Sequence, residues 1–205
     1  MLGFYNYTVI LTYIGMLISF FGFGFAIRGS FQAALLCLML SGLCDMFDGK
    51  IASTMKRTDD ERHFGIQIDS LSDLICFGVY PALILRMRVP DSVVVTVIAC
   101  AYALCALIRL AYFNVDELNR QNQTAERRHE YRGLPVTSSA IAVPLSFILG
   151  KLLGMTEIIL PCIIALMAVA FISPFRLKKP GGKGAIVYGA IGVVELILVL
   201  GGFAG

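Results

Sequence analysis

The amino-acid sequence predicts an all-α, polytopic membrane protein. Three observations carry this. The chain is 58% hydrophobic with only 15% charged residues and a mean hydropathy of +0.80, where roughly 25% charged is usual for soluble domains. Its apolar residues run in continuous blocks of about 20, the length that crosses a bilayer as a helix, not in the short alternating segments of a β-barrel. Its charged residues concentrate between those blocks.

Spans are expected at about 6–27, 31–52, 64–86, 92–114, 134–153, 155–173 and 185–203. The first has no basic stretch before it and is too long for the core of a signal peptide, so it reads as a retained helix. Gly and Pro interrupt several blocks, as membrane helices tolerate. With the N-terminus inside, thirteen of the seventeen Lys and Arg fall on the cytoplasmic side, leaving Arg28, Arg86, Arg88 and Lys151 opposite. The longest polar stretch, 116–132, reads as a loop, and the basic run 176–183 as a headgroup anchor. No soluble domain is evident, so residues 1–205 read as one integral membrane domain. The six cysteines form no CxxC pair and lie in or beside apolar blocks, as small buried side chains do.

The chemistry concentrates in residues 44–73. Asp45, Asp48, Gly49 and Ala52 share one helix face by their i, i+3, i+4, i+7 spacing. Gly65, Asp69 and Asp73 share another by i, i+4, i+8. The short connection makes the two helices antiparallel neighbours, so the faces can meet at the cytoplasmic end. Four carboxylates there repel one another and need compensation. One or two hard divalent cations, Mg2+ or Mn2+, suit oxygen ligands and bridge to phosphate. A carboxylate left over could act as general base. The glycines leave room for a ligand, or serve helix packing.

These residues resemble the CDP-alcohol phosphotransferase family, whose pattern is D-x2-D-G-x2-A-R-x8-G-x3-D-x3-D. All four aspartates, both glycines and the alanine match in type and order. The family arginine is Ser53 here, and eleven residues, not eight, separate that position from Gly65. Lys50, Lys56 and Arg57 are candidates for the missing charge. The resemblance implies a six-helix core, usually a homodimer, leaving the seventh, C-terminal span as an addition. It implies two divalent cations held by Asp45, Asp48 and Asp69. Asp73 would be a second-cation ligand, the general base, or both. Gly49, Ala52 and Gly65 would lie against the cytidine nucleotide.

Residues 69–82, 107–115 and 131–136 are similar to the phosphatidylserine synthase branch. That implies CDP-diacylglycerol as donor and L-serine as acceptor, at a site facing the cytoplasm from the cell membrane, with no nucleic-acid partner. Glycerol 3-phosphate, inositol phosphate or choline is the alternative acceptor, and a divalent-cation transporter the alternative class. Arg109, inside an apolar span, suits a carboxylate or phosphate with its planar fork. Arg132, beside Gly133-Leu134-Pro135, is a second candidate, and snorkelling to headgroups is the alternative for both. Asn114 and Ser70 are weaker candidates and read as interhelical hydrogen bonders. Glu195, deep in the last span, is either protonated or paired across a dimer.

Overall fold

Hydrophobic segments of 15 to 31 residues close their backbone hydrogen bonds internally by coiling, and helices dominate the computed structural model. It describes residues 3–52, 54–123, 130–178 and 182–203. In chain order these are α1 (Ile10–Ile27), α2 (Phe31–Ala52), α3 (Asp59–Asp73), α4 (Tyr80–Arg88), α5 (Val93–Gln123), β1 (Glu130–Arg132), α6 (Ser139–Leu153), α7 (Thr156–Ile172), β2 (Arg176–Lys178) and α8 (Gly182–Leu198). A π-helical turn, Leu74–Val79, joins α3 and α4 into one rod. Among the described residues, five rods are long and apolar enough to cross a membrane, and α7 is a shorter apolar helix of 17 residues. Phe21, Val93 and Leu166 are each at least 70% exposed, a cost in water that lipid removes.

Two boundaries differ from the hydropathy reading. The third rod starts at Asp59, not near 64, because Thr58 and Glu61 form a capping box. Asp59, Asp60 and Glu61 also place negative charge at the positive end of α3. A hydropathy window sees only the apolar remainder. The fourth span continues to Gln123 as polar helix, so part of the expected 116–132 loop is helical. No Gly or Pro stops it, and Glu117 pairs with Arg120 at 2.5 Å one turn on. Residues Glu130–Arg132 of that stretch and Arg176–Lys178 of the basic run pair as a two-stranded antiparallel ribbon, with Tyr131 opposite Leu177 and Arg132 opposite Arg176.

The core forms where the rods cross. Leu35 and Leu38 of α2 lie with Tyr80 and Ile84 of α4, Tyr102 of α5 and Ile164 of α7, all fully buried. Small residues set the approach distances. A Cβ at Gly22 of α1 would collide with the Tyr80 hydroxyl, and one at Gly42 of α2 would lie 2.5 Å from the Ala140 Cβ. Ser41 of α2 donates to the Gly15 carbonyl at 2.9 Å and shares a 2.8 Å bond with Ser19, clasping α1 to α2.

The π turn has a local cause and a tertiary repair. Pro81 has no N–H, so the backbone partner that would bond the Phe77 carbonyl from four residues on is missing. The buried Tyr102 hydroxyl donates to that carbonyl at 2.8 Å. Replacing Tyr102 by Phe should orphan it. We expect a loss of about 1–3 kcal/mol, read as a lower unfolding midpoint in detergent.

Candidate metal and nucleotide site

The sequence places Asp45 and Asp48 on the last turns of α2, and Asp69 and Asp73 on the last turns of α3 before the π turn. α2 and α3 run antiparallel from the loop between them, so the two faces meet. One carboxylate oxygen each from Asp45, Asp48 and Asp69 lies within 4.8 Å of the others. Asp73 sets its carboxyl against Asp45, as Asp48 does against Asp69. Among the described residues, no ion pair involves any of the four.

That donor set fits a hard cation. Oxygens about 2.1 Å from Mg2+ lie about 3 Å apart when adjacent and about 4.2 Å when opposite, so three oxygens within 4.8 Å of one another can close on one cation by small side-chain adjustments. Asp48 is buried, at 8% exposure, while Asp45 and Asp69 are half-buried, leaving an approach for a ligand.

Local packing aims these groups. Thr12 of α1 donates its hydroxyl to Asp48 Oδ2 at 3.1 Å, and Ser72 of α3 donates to the Thr12 carbonyl at 3.4 Å. The N-terminal segment braces the start of α3 and the loop before it. Phe4 meets Phe64 edge-on at 5.6 Å, the Asn6 amide donates to Glu61 Oε1 at 3.4 Å, and the Tyr7 and Thr54 hydroxyls lie 3.0 Å apart. On the far side Ser70 donates to Asn114 Oδ1 at 2.5 Å, and the Asn114 amide donates to Gln67 Oε1 at 3.3 Å. Asn114 and Ser70 thus clamp α3 to α5.

Thr12 and the N-terminal brace were not singled out by spacing. Thr12 lies 36 positions from Asp48, and no local period connects them. A carboxylate ligand held by a hydroxyl is better aligned, and losing such a partner typically costs 10–100-fold in metal affinity. Thr12→Val should weaken Mn2+ binding about tenfold, measured by electron paramagnetic resonance, with the fold intact by circular dichroism.

The glycines separate into two kinds. A Cβ at Gly49 would meet nothing within 4 Å, and one at Gly65 would meet only the Arg57 guanidinium, at 3.0 Å. Neither packs a helix closely, unlike Gly22 and Gly42. Ala52, on the Gly49 face of α2, is half-buried. Of the basic residues that could replace the motif arginine, Arg57 is half-buried and reaches Gly65, Lys56 is exposed, and the Lys50 ammonium lies over the Phe47 ring at 5.1 Å. Ser53 lies outside the described residues.

Arg109 is 6% exposed. Its Nε donates to the Leu134 carbonyl at 3.3 Å, and its guanidinium lies 5.7 Å from the centre of the Phe113 ring. Gly133, with φ +73°, turns the chain there. Its N–H donates to the Phe175 carbonyl at 2.8 Å, and a Cβ would meet the Phe171 carbonyl at the same distance. Arg109 thus ties the turn after β1 to α5, while the Gly133 and Leu134 N–H groups bond the Phe175 and Ala170 carbonyls at the end of α7. The Arg132 backbone belongs to β1, and its side chain lies outside the described ones. Glu195 is 3% exposed, and neither carboxyl oxygen has a hydrogen-bond partner among the described residues.

A family model described as CDP-alcohol phosphatidyltransferase matches residues 5–174, the stretch from the N-terminal brace to the end of α7, leaving α8 outside. An archaetidylserine synthase of Methanothermobacter thermautotrophicus is 30% identical over 161 residues, 78% of this chain and 64% of that protein. A CDP-diacylglycerol–serine O-phosphatidyltransferase of Helicobacter pylori is 28% identical over 178 residues, 83% of this chain and 69% of that protein. One of the same name from Saccharomyces cerevisiae is 32% identical over 117 residues, covering 55% and 41%. The chain therefore spans about two thirds or less of the length of these relatives.

Proposed function

Because the chain belongs to the CDP-alcohol phosphatidyltransferase family, we propose that it transfers a phosphatidyl group from CDP-diacylglycerol to the hydroxyl of L-serine, giving phosphatidylserine and CMP. The observation that carries the reading is the meeting of Asp45, Asp48 and Asp69 within 4.8 Å, with Asp73 against Asp45, at one end of an apolar bundle. Serine as acceptor draws support from the names of the relatives, which differ in the lipid but share serine.

In this reading Asp45, Asp48 and Asp69 hold the cations, with Asp73 beside them. When bound, two divalent cations, Mg2+ or Mn2+, neutralise the diphosphate and stabilise the attacking and leaving oxygens. The cytidine lies over Gly49, Ala52 and Gly65, where no Cβ at either glycine blocks it. The Arg57 guanidinium beside Gly65 is available to the donor phosphates. Asp73 accepts the proton of the serine hydroxyl as its oxygen attacks the β-phosphorus and CMP departs. Arg109 and Asn114 hold the surrounding frame, and Arg132 on the braced turn is the candidate for the serine carboxylate. Alignment supplies much of the rate, as in other phosphoryl transfers.

The Lys/Arg bias supports a site on the cytoplasmic side of the cell membrane. There acyl chains stay in the bilayer while serine arrives from water. The protein acts as a homodimer by the same family reading.

The test is a membrane assay with CDP-diacylglycerol, Mn2+ or Mg2+, and labelled serine. Labelled lipid and CMP should appear together and cease on chelation. CMP release with glycerol 3-phosphate, inositol phosphate or choline, but not with serine, would overturn the acceptor. Cation flux through vesicles without CMP release would overturn the enzyme reading.

A further inference from the structure

The connection between α2 and α3 is held at both ends by the N-terminal segment. Thr54 donates its one hydroxyl proton to the Ile51 carbonyl at 2.8 Å, so Tyr7 is the donor in the 3.0 Å bond between the Tyr7 and Thr54 hydroxyls. At the other end the Asn6 amide donates to Glu61 Oε1 at 3.4 Å, while Glu61 Oε2 accepts from the Thr58 N–H at 2.9 Å. That N–H belongs to the peptide that joins Arg57 to Thr58. Asn6 is fixed in turn, because its side-chain oxygen accepts from the Thr8 N–H at 3.1 Å. Two consecutive residues, Asn6 and Tyr7, therefore hold the segment that carries Arg57.

The Arg57 guanidinium lies against the bare backbone of Gly65, where a Cβ would come within 3.0 Å of Nη1. Glu61, Gly65 and Asp69 are spaced four apart on α3 and share one face. The guanidinium therefore sits on the aspartate face, one turn before Asp69, about 6 Å along the helix at 1.5 Å per residue. It is half-buried, yet among the described residues it makes no ion pair and no hydrogen bond. The acids around it are engaged elsewhere. Glu61 has one oxygen on Asn6 and the other on the N–H and hydroxyl of Thr58, and Asp59 pairs with Arg62.

A guanidinium carries five N–H donors in a rigid fork. Half-buried donors that meet no protein acceptor match a ligand that brings its own oxygens, and a planar fork suits phosphate. The other basic residues of this stretch are turned away from the face. The Lys50 ammonium lies over the Phe47 ring, and Lys56 is exposed.

We propose that Arg57 is the residue that takes up the diphosphate of the donor, and that Asn6 and Tyr7 are positioning residues for it, so that the N-terminal segment forms part of the donor site. This rests on the donor reading above. It adds which of the three basic residues does the work, and that its placement depends on a segment about fifty positions earlier in the chain.

The test uses the full chain in detergent with Mg2+, titrated with CDP as a soluble nucleotide diphosphate, and the serine assay in membranes. Arg57→Gln should weaken CDP binding and raise the KM for CDP-diacylglycerol about tenfold, the scale of one charge-assisted hydrogen bond. The KM for serine and the unfolding midpoint should not move. Arg57→Lys keeps the charge without the fork and should raise the same KM by a smaller factor. Asn6→Ala should raise it about threefold with kcat unchanged, and adding Asn6→Ala to Arg57→Gln should change nothing further, because Asn6 acts through Arg57. Arg62→Gln, at the same helix end, should leave it unaltered. Equal CDP binding by Arg57→Gln and the unmodified protein would overturn the Arg57 role and leave the donor reading in place. No CDP binding by the unmodified protein would overturn both. An equal rise in Arg62→Gln would make the effect one of general charge and overturn the assignment. Additive losses in the double variant would overturn the positioning role of Asn6. If Arg57→Gln fails to fold, Arg57→Lys decides: an unchanged KM for the donor sinks the idea.

Discussion

Asp73→Asn is expected to reduce formation of labelled phosphatidylserine by roughly 100-fold or more, the range general acid–base groups contribute. The substitution keeps the shape and removes the basic oxygen. Asp73 is the aspartate outside the 4.8 Å triad, yet its carboxyl rests against Asp45. It is therefore positioned to take a proton next to whatever the triad holds. The comparison that tests this is Asp48→Asn. Asp48 sits inside the triad, so its substitution should remove turnover and weaken Mn2+ binding together. Asp73→Asn should remove turnover while Mn2+ binding, followed by electron paramagnetic resonance, stays near the unmodified protein's. Full turnover in Asp73→Asn would take the base role away from this residue. Lost Mn2+ binding in that variant would make it a ligand instead.

Gly22→Ala and Gly49→Ala should fail in opposite ways. At Gly22 the new methyl falls onto the Tyr80 hydroxyl and 2.8 Å from the Cys37 Cβ. Tyr80 cannot swing aside easily, because it is fully buried and its hydroxyl donates to the Ala34 carbonyl at 2.7 Å. Forcing α1, α2 and α4 apart should cost about 1–3 kcal/mol, read as a lower unfolding midpoint and poorer yield. At Gly49 a methyl meets nothing within 4 Å, so stability should change by less than about 0.5 kcal/mol. If the cytidine lies on that surface, the KM for CDP-diacylglycerol should rise with the midpoint unmoved. A Gly49→Ala protein with unaltered KM would remove the nucleotide from that face.

The two glycines also mark where sequence reasoning stops. Spacing placed Gly49 on the aspartate face and left open whether small size served a ligand or a neighbouring helix. Only the packed bundle answers, because the answer is the position of atoms from other segments. Gly22 attracted no attention in the sequence, although it touches the core.

What the chain order alone determined is what local periodicity can carry. Long apolar runs must coil in a bilayer to satisfy their own backbone, so the helices were legible, including the α2 boundaries at 31 and 52. The i, i+3 and i, i+4 spacings placed Asp45 with Asp48 and Asp69 with Asp73, because a helix repeats every 3.6 residues. The start of α3 was written in the Thr58–Glu61 box, but hydropathy does not weigh capping.

What only the tertiary structure decided depends on residues far apart in the chain. Thr12 comes to Asp48 across 36 positions, and Tyr102 comes to the Phe77 carbonyl across 25. Arg57 comes to Gly65 by the path of a connection whose length departs from the family pattern. Arg88 and Lys151, counted in the sequence only among the charges of the opposite side, line one groove because α4 and the α6–α7 corner converge there. Each of these contacts follows from how whole helices cross, and no window along a single helix contains that information.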